Sequence, residues 1–189
     1  MVVGVTGGYC AGKSVACELF VQKGYIHVDV DRIGHEVLEG KKKEVVEVFG
    51  ERVLSGGRIE RSELGRIVFA DRERRKRLEE ILHPPMVACV RRELKSCRDA
   101  VIDAALLIEM RLFSFCDFVI GVQIDDEVAL LRGMRRDGLS RDETIQRIRS
   151  QIPLKEKLHY VDKVIENNAT VQEFRRRVGE TITILTEKG

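Results

Sequence analysis

The stretch Gly7-Gly8-Tyr9-Cys10-Ala11-Gly12-Lys13-Ser14 fits the pattern Gly-x-x-x-x-Gly-Lys-Ser/Thr, which constrains fold and chemistry together. Residues 2–6 read as a buried strand before it, and residues 14–21 as the start of a helix after it. A strand, loop and helix in that order turn backbone N–H groups onto phosphate oxygens at the positive end of the helix dipole. Gly7 and Gly12 are expected to supply backbone angles and close approach that a side chain obstructs. Lys13 can reach the β- and γ-phosphates, and the Ser14 hydroxyl can hold Mg²⁺. Gly8, Cys10, Ala11, Gly12, Lys13, Ser14 and Val15 are therefore the expected nucleotide ligands of the loop.

A chain of 189 residues suits one domain, 1–189, with room for a small insertion and a real hydrophobic core. Charged residues make up 34% of it, but the signs are interleaved and the net charge is only +2, which speaks against a dedicated nucleic-acid binder. No apolar run approaches a membrane span, and no signal peptide is expected, so the reading is of a cytoplasmic chain. The five cysteines form no Cys-x-x-Cys pair and suggest neither a zinc site nor a disulfide framework. Cys10 stands apart: near Lys13 and a helix N-terminus, its thiol is expected to have a lowered pKa. A small space-filling role for Cys10 is an equal alternative.

Apolar runs alternate with helical patterns, which argues for an α/β fold with a parallel sheet. The candidate strands are 2–6, 25–29, 100–104, 118–123 and 163–166, and they read as buried on both faces. Ser140 to Glu143 and Thr170 to Glu173 fit capping boxes. From Thr170 on, apolar residues recur at helical spacing and predict an amphipathic C-terminal helix, with Arg175-Arg176-Arg177 on a solvated face. Residues 40–97 hold no convincing central strand. Segments 44–49, 61–69 and 71–82 look helical, and Pro84-Pro85 is expected to bend the chain after them. This reads as a helical insertion where an acceptor could bind.

The second candidate strand ends in Asp29-Val30-Asp31, where open parallel sheets bind ligands. One carboxylate there could take a proton from an attacking hydroxyl, or it could cap the next helix. Asp103 ends the third strand, as a Mg²⁺- or acceptor-binding carboxylate or as a structural cap. Arg132 and Arg136 share a helix face, Gly138 breaks that helix, and a second one carries Arg147 and Gln151. Residues 132–151 thus read either as an arginine-bearing lid closing on a transferring phosphoryl group, or as a surface helical pair. A guanine-reading Asn-Lys-x-Asp string is absent. His83 reads by itself as structural.

Taken in order, these motifs resemble the dephospho-coenzyme A kinase family. The phosphate loop, Asp29-Val30-Asp31, Gly65 to Phe69, Leu78 to Pro84, Asp103 to Glu109, Arg132 to Gly138 with Arg147 and Gln151, and Asp162 to Asn168 each match a segment of that family. Cys10, Ala11, Ala105, Val161 and Ala169 depart from its usual residues. The resemblance implies a three-layer P-loop kinase fold, with a five-stranded parallel sheet in the order 2-3-1-4-5, a helical acceptor subdomain and a lid. It implies ATP- and Mg²⁺-dependent phosphorylation of the ribose 3′-hydroxyl of dephospho-coenzyme A, the last step of coenzyme A biosynthesis. It makes Asp31 the general base and gives Lys13 and Arg136 the transferring phosphoryl group. It places Arg132 and Asn167 at ATP, and Asp29, Asp31, His83, Asp103, Leu106 and Arg147 at the acceptor. The partners expected are those two small molecules, with no nucleic acid or membrane and a monomer or weak homo-oligomer. The rival readings are another small-molecule kinase, such as a nucleoside monophosphate kinase, and a non-catalytic ATP-binding regulator.

Overall fold

A computed structural model describes residues 1–187; the last two residues of the expected 1–189 domain lie outside the described residues. The chain divides into two compact units, one of residues 1–29 with 96–189 and one of Val30–Lys95.

The first unit opens with β1 (Val2–Gly7), α1 (Lys13–Gln22) and β2 (Ile26–Asp29). β1 is the central strand, and its apolar run is buried almost throughout because neighbours flank both its edges and helical segments cover its faces. The chain then builds the second unit: α2 (Val30–Gly40), α3 (Lys42–Phe49), a hairpin of β3 (Leu54–Ser55) and β4 (Arg58–Ile59), α4 (Arg61–Ala70) and α5 (Arg72–Leu94). Leu38, Val45, Phe49, Val53, Ile59, Leu64 and Val68 form a core of its own, with Leu78, Ile81 and Leu82 of α5 packed against it. Asp71 caps α5 by accepting from the amides of Glu73 and Arg74. Contrary to expectation, α5 does not stop at His83. It runs through Pro84 and Pro85, which lack the N–H groups that would bond the carbonyls one turn back. The twelve-residue apolar pattern stops there, but helical packing of Met86 and Val90 carries the helix on.

The first unit resumes with β5 (Ala100–Asp103), β6 (Phe118–Gln123), α6 (Asp126–Asp137), α7 (Arg141–Arg149), α8 (Leu154–Lys157), β7 (Lys163–Glu166) and α9 (Val171–Glu187). The parallel sheet has the order β2-β5-β1-β6-β7. Counted over its own strands this is 2-3-1-4-5, as expected. Val3, Val5, Phe20, Val101, Ile120, Val122, Phe174, Val178 and Ile182 share one core, so α1 and α9 seal a face of the sheet. The strands are not all buried on both faces. Ile26 and His27 of β2 and Lys163 and Glu166 of β7 are exposed, because these two strands form the sheet's edges.

Ser140 makes the full capping box with Glu143 at the start of α7. Thr170 makes half of one. Its hydroxyl accepts from the Glu173 amide, while the Glu173 carboxylate turns to Arg176 and Arg177 instead. Those guanidinium groups hold the Glu173 carboxyl down at about 2.

Candidate active site

The phosphate loop joins the central strand to α1 at the carboxyl edge of the sheet. Gly12 has a φ of 100°, in the left-handed region that favours glycine. A Cβ at Gly12 would also collide with the side-chain nitrogen of Asn167. That nitrogen donates to the Ala11 carbonyl at 2.7 Å, and Asn167 is 5% exposed, so a residue just beyond β7 clamps the loop. Gly7 needs glycine for the close approach expected of it and not for its backbone angle. Its φ of 159° is extended backbone, but a Cβ would lie 2.5 Å from the Val122 carbonyl of β6. Within the loop Cys10 is a non-glycine residue with a left-handed φ, of 56°, a conformation costing about 1–2 kcal/mol.

Cys10 does not have the lowered pKa expected of it. Burial pushes its thiol up; Arg136 pulls down and Asp137 up, and the pull of Lys13 is a lesser one. Sequence proximity to a cation does not reveal that the sulfur is also taken out of water.

Lys13 folds back over the loop, its Nζ donating to the carbonyls of Gly7 and Gly8 at 3.3 and 3.4 Å. Ser14 is exposed in the first turn of α1. Cys10, Ala11, Gly12, Lys13, Ser14, Val15, Arg132, Arg136 and Asn167 line a cavity of about 540 Å³, a size suited to a small-molecule ligand. Gly8 contributes its carbonyl to the loop's own bonding instead, accepting also from the Ala11 amide at 3.2 Å. Two lining residues were not among the expected ligands, Val171 and Phe174 of α9. Their apolar periodicity marked them only as core.

Arg132 donates to the Ala169 carbonyl at 3.3 Å. Arg136 forms a two-pronged pair with Asp137, Nε to Oδ1 at 2.7 Å and Nη2 to Oδ2 at 3.0 Å. Arg147 of α7 reaches the same carboxylate at 3.2 Å. These guanidinium bonds, with one from the Tyr9 hydroxyl, drive the Asp137 carboxyl far below its ordinary range. α7 ends at Arg149, so Gln151 lies beyond it and does not share a helix with Arg147 as expected.

On the other side of β1, Asp29 and Asp103 are register partners at the ends of β2 and β5. His27 Nε2 lies 3.8 Å from Asp103 Oδ2, and with the Cys17 sulfur these ligand atoms fall within 4.8 Å of one another. Cys17 is buried, which pushes its thiol well up, and the charge of Lys13 acts on it too. The thiolate rather than the thiol ligates metal, so a sulfur kept protonated by burial makes the trio a poor metal centre. The loop after β5 is held by Lys157 of α8, whose Nζ donates to the Ala105 carbonyl at 3.1 Å and pairs with Glu109 Oε1 at 2.8 Å. Thr6 donates to the same Ala105 carbonyl at 3.3 Å. Leu106 follows in that loop and accepts from the Met110 amide.

In the second unit, Asp31 is exposed in the first turn of α2, which begins at Val30. It therefore does not stand at the cap position that was its alternative reading. His83 is half-buried on α5.

The family model described as dephospho-CoA kinase matches residues 1–173. The chain belongs to the dephospho-CoA kinase family. The dephospho-CoA kinase of Geobacter sulfurreducens is 39% identical over 188 residues, covering 95% of each chain. That of Carboxydothermus hydrogenoformans is 35% identical over 193 residues, covering 97% of this chain and 92% of its own. A crystal structure of a Thermus thermophilus protein superimposes with a TM-score of 0.82 at 32% identity, covering 98% of this chain and 97% of that one.

Proposed function

We infer that this chain carries out its family's reaction, transfer of the γ-phosphoryl group of ATP to the ribose 3′-hydroxyl of dephospho-coenzyme A. The observation that carries the reading is one cavity lined by the phosphate loop, two lid arginines and Asn167. Phosphoryl transfer needs positioned reactants and charge stabilisation more than covalent help, and these residues supply both. Lys13 exchanges its present carbonyl partners for the oxygens of the transferring group, and Arg136 meets those oxygens from the cavity lining while paired to Asp137. Val171 and Phe174 give the cavity an apolar wall against which the base of ATP can pack, beside Asn167 and Arg132.

Asp31 is the proposed base, two residues beyond the end of β2 and exposed for contact with an alcohol. Asp29, Asp103, Leu106, Arg147 and His83 are proposed to bind the acceptor, with residues 40–97 as its subdomain and 132–151 as the lid. The donor set fits Mg²⁺, a hard cation that prefers oxygen: the exposed Ser14 hydroxyl adjoins the phosphate loop, and carboxylates stand at the ends of β2 and β5. Ser14 would hold that ion, which when bound neutralises charge on the β- and γ-phosphates. The five free thiols and the lack, among the described residues, of a helix able to cross a membrane accord with a place in the cytoplasm.

Incubation of the pure protein with Mg-ATP and a panel of acceptors tests this. Dephospho-coenzyme A should be phosphorylated at its 3′-hydroxyl, and Asp31→Asn should lower turnover by about 10²–10⁴-fold with ATP affinity little changed. Phosphorylation of nucleoside monophosphates but not dephospho-coenzyme A, or full turnover by Asp31→Asn, would overturn the respective assignment.

A further inference from the structure

Tyr9 is the one large side chain among the four positions, 8–11, that the loop pattern leaves unspecified. Its hydroxyl donates to Asp137 Oδ2, across 128 positions of sequence. The Arg136 guanidinium carbon lies 5.1 Å from its ring centroid, within cation–π range. The ring also fills the space beside Gly133 of α6, where a Cβ would collide with Tyr9 Cε1 and Thr144 Cγ2. Three independent contacts therefore run from one loop residue to the segment that carries Arg136.

The bonding of Arg136 gives these contacts a use. Its Nε and Nη2 are committed to Asp137, while Nη1 makes no hydrogen bond among the described residues, and the side chain lines the cavity. Asp137 is fixed in turn by Tyr9 and Arg147. A guanidinium held on two of its three nitrogens and against an aromatic face retains little freedom, so the remaining nitrogen is presented in a set direction. Without the tyrosine, the carboxylate that orients Arg136 would itself be held only by arginines on α6 and α7.

We propose that Tyr9 is a positioning residue for Arg136: from within the phosphate loop it fixes, through ring and hydroxyl, the lid arginine that meets the transferring phosphoryl group. The inference rests on the assignment of Arg136 made above. It makes α6 a docked element whose alignment to the phosphates is set by the loop that binds them, and it explains why position 133 is glycine.

The test is a double-mutant cycle in steady-state phosphorylation of dephospho-coenzyme A, with melting temperatures recorded for every variant. Tyr9→Phe keeps the ring and loses the hydroxyl; Tyr9→Ala loses both. We expect kcat to fall about threefold and about tenfold respectively, while KM for ATP moves less than about twofold. In an Arg136→Ala background each Tyr9 substitution should have almost no further effect on kcat. Equal kcat for the wild type and both Tyr9 variants overturns the inference, as does a Tyr9 loss that multiplies in full onto that of Arg136→Ala. A fall in kcat for Arg136→Ala with silent Tyr9 variants rejects this inference alone. No fall for Arg136→Ala rejects the assignment of Arg136 as well. Should Tyr9→Ala melt before assay temperature, Tyr9→Phe decides by the same criteria.

Discussion

The side-chain nitrogen of Asn167 donates to the carbonyl of Ala11 at 2.7 Å, joining the end of the last strand to a loop 156 residues earlier. The same nitrogen stands where a side chain on Gly12 would have to be. Loop conformation is thus set from outside the loop, by a buried donor with a specific acceptor.

Asn167→Asp should be more damaging than its near-identical shape suggests. A carboxylate facing the Ala11 carbonyl replaces a hydrogen bond with repulsion between two acceptors, at a cost of about 1–3 kcal/mol. KM for ATP should rise about tenfold, read by steady-state assay against varied ATP. Unchanged ATP kinetics would show that the clamp does not shape the cradle.

Lys157 and Glu109 form a buried pair, with side chains 4% and 16% exposed, and neither Glu109 oxygen accepts a well-aligned hydrogen bond. Lys157→Met leaves that carboxylate without its cation and the Ala105 carbonyl with only the Thr6 hydroxyl of its two side-chain donors. Urea unfolding should show a loss of about 3–5 kcal/mol, while Lys157→Met combined with Glu109→Leu should recover most of it. A single variant as stable as the double one would mean that the pair contributes nothing through charge.

Cys10 lies in the cavity lining, and its thiol pKa is raised, chiefly by burial. The sign follows directly: a raised pKa leaves less thiolate at any given pH below it, and thiolate is the reactive form. Iodoacetamide should therefore label Cys10 more slowly than a free model thiol at about pH 8, with the rate climbing as pH passes above the ordinary thiol range. ATP should slow it further by covering the sulfur. Labelling faster than the model thiol, measured by peptide mass spectrometry, would restore the activated cysteine that the loop position suggested.

Acid should loosen the Asp137 hub late. Its folded carboxyl pKa is lowered, first by Arg136 and then by Tyr9, so its contribution is present above the unfolded value and is lost as pH falls through the folded one. Asp137→Asn should therefore flatten the acid limb of the melting-temperature profile below about pH 4 relative to the wild type. Superimposable profiles would show that the hub adds no pH-dependent stability.

What was legible in the chain alone was what depends on neighbours in sequence. The phosphate loop spans a few consecutive residues, its strand is an unbroken apolar run, and the Ser140 cap closes on Glu143 within one helical turn. Such features are decided by local backbone geometry and short-range hydrogen bonds, and the sheet order came with the family those motifs resemble. Tertiary structure alone decided the rest. It decided that α5 passes through Pro84 and Pro85, because packing beyond them outweighs two missing amide donors. It decided that Cys10 is buried enough for desolvation to overcome the nearby cations, a quantity no string of residues states. It brought Tyr9 to Asp137, Asn167 to Ala11 and Lys157 to Glu109. Each of those pairs joins groups distant along the chain, and their energies exist only once folding has removed water from between them.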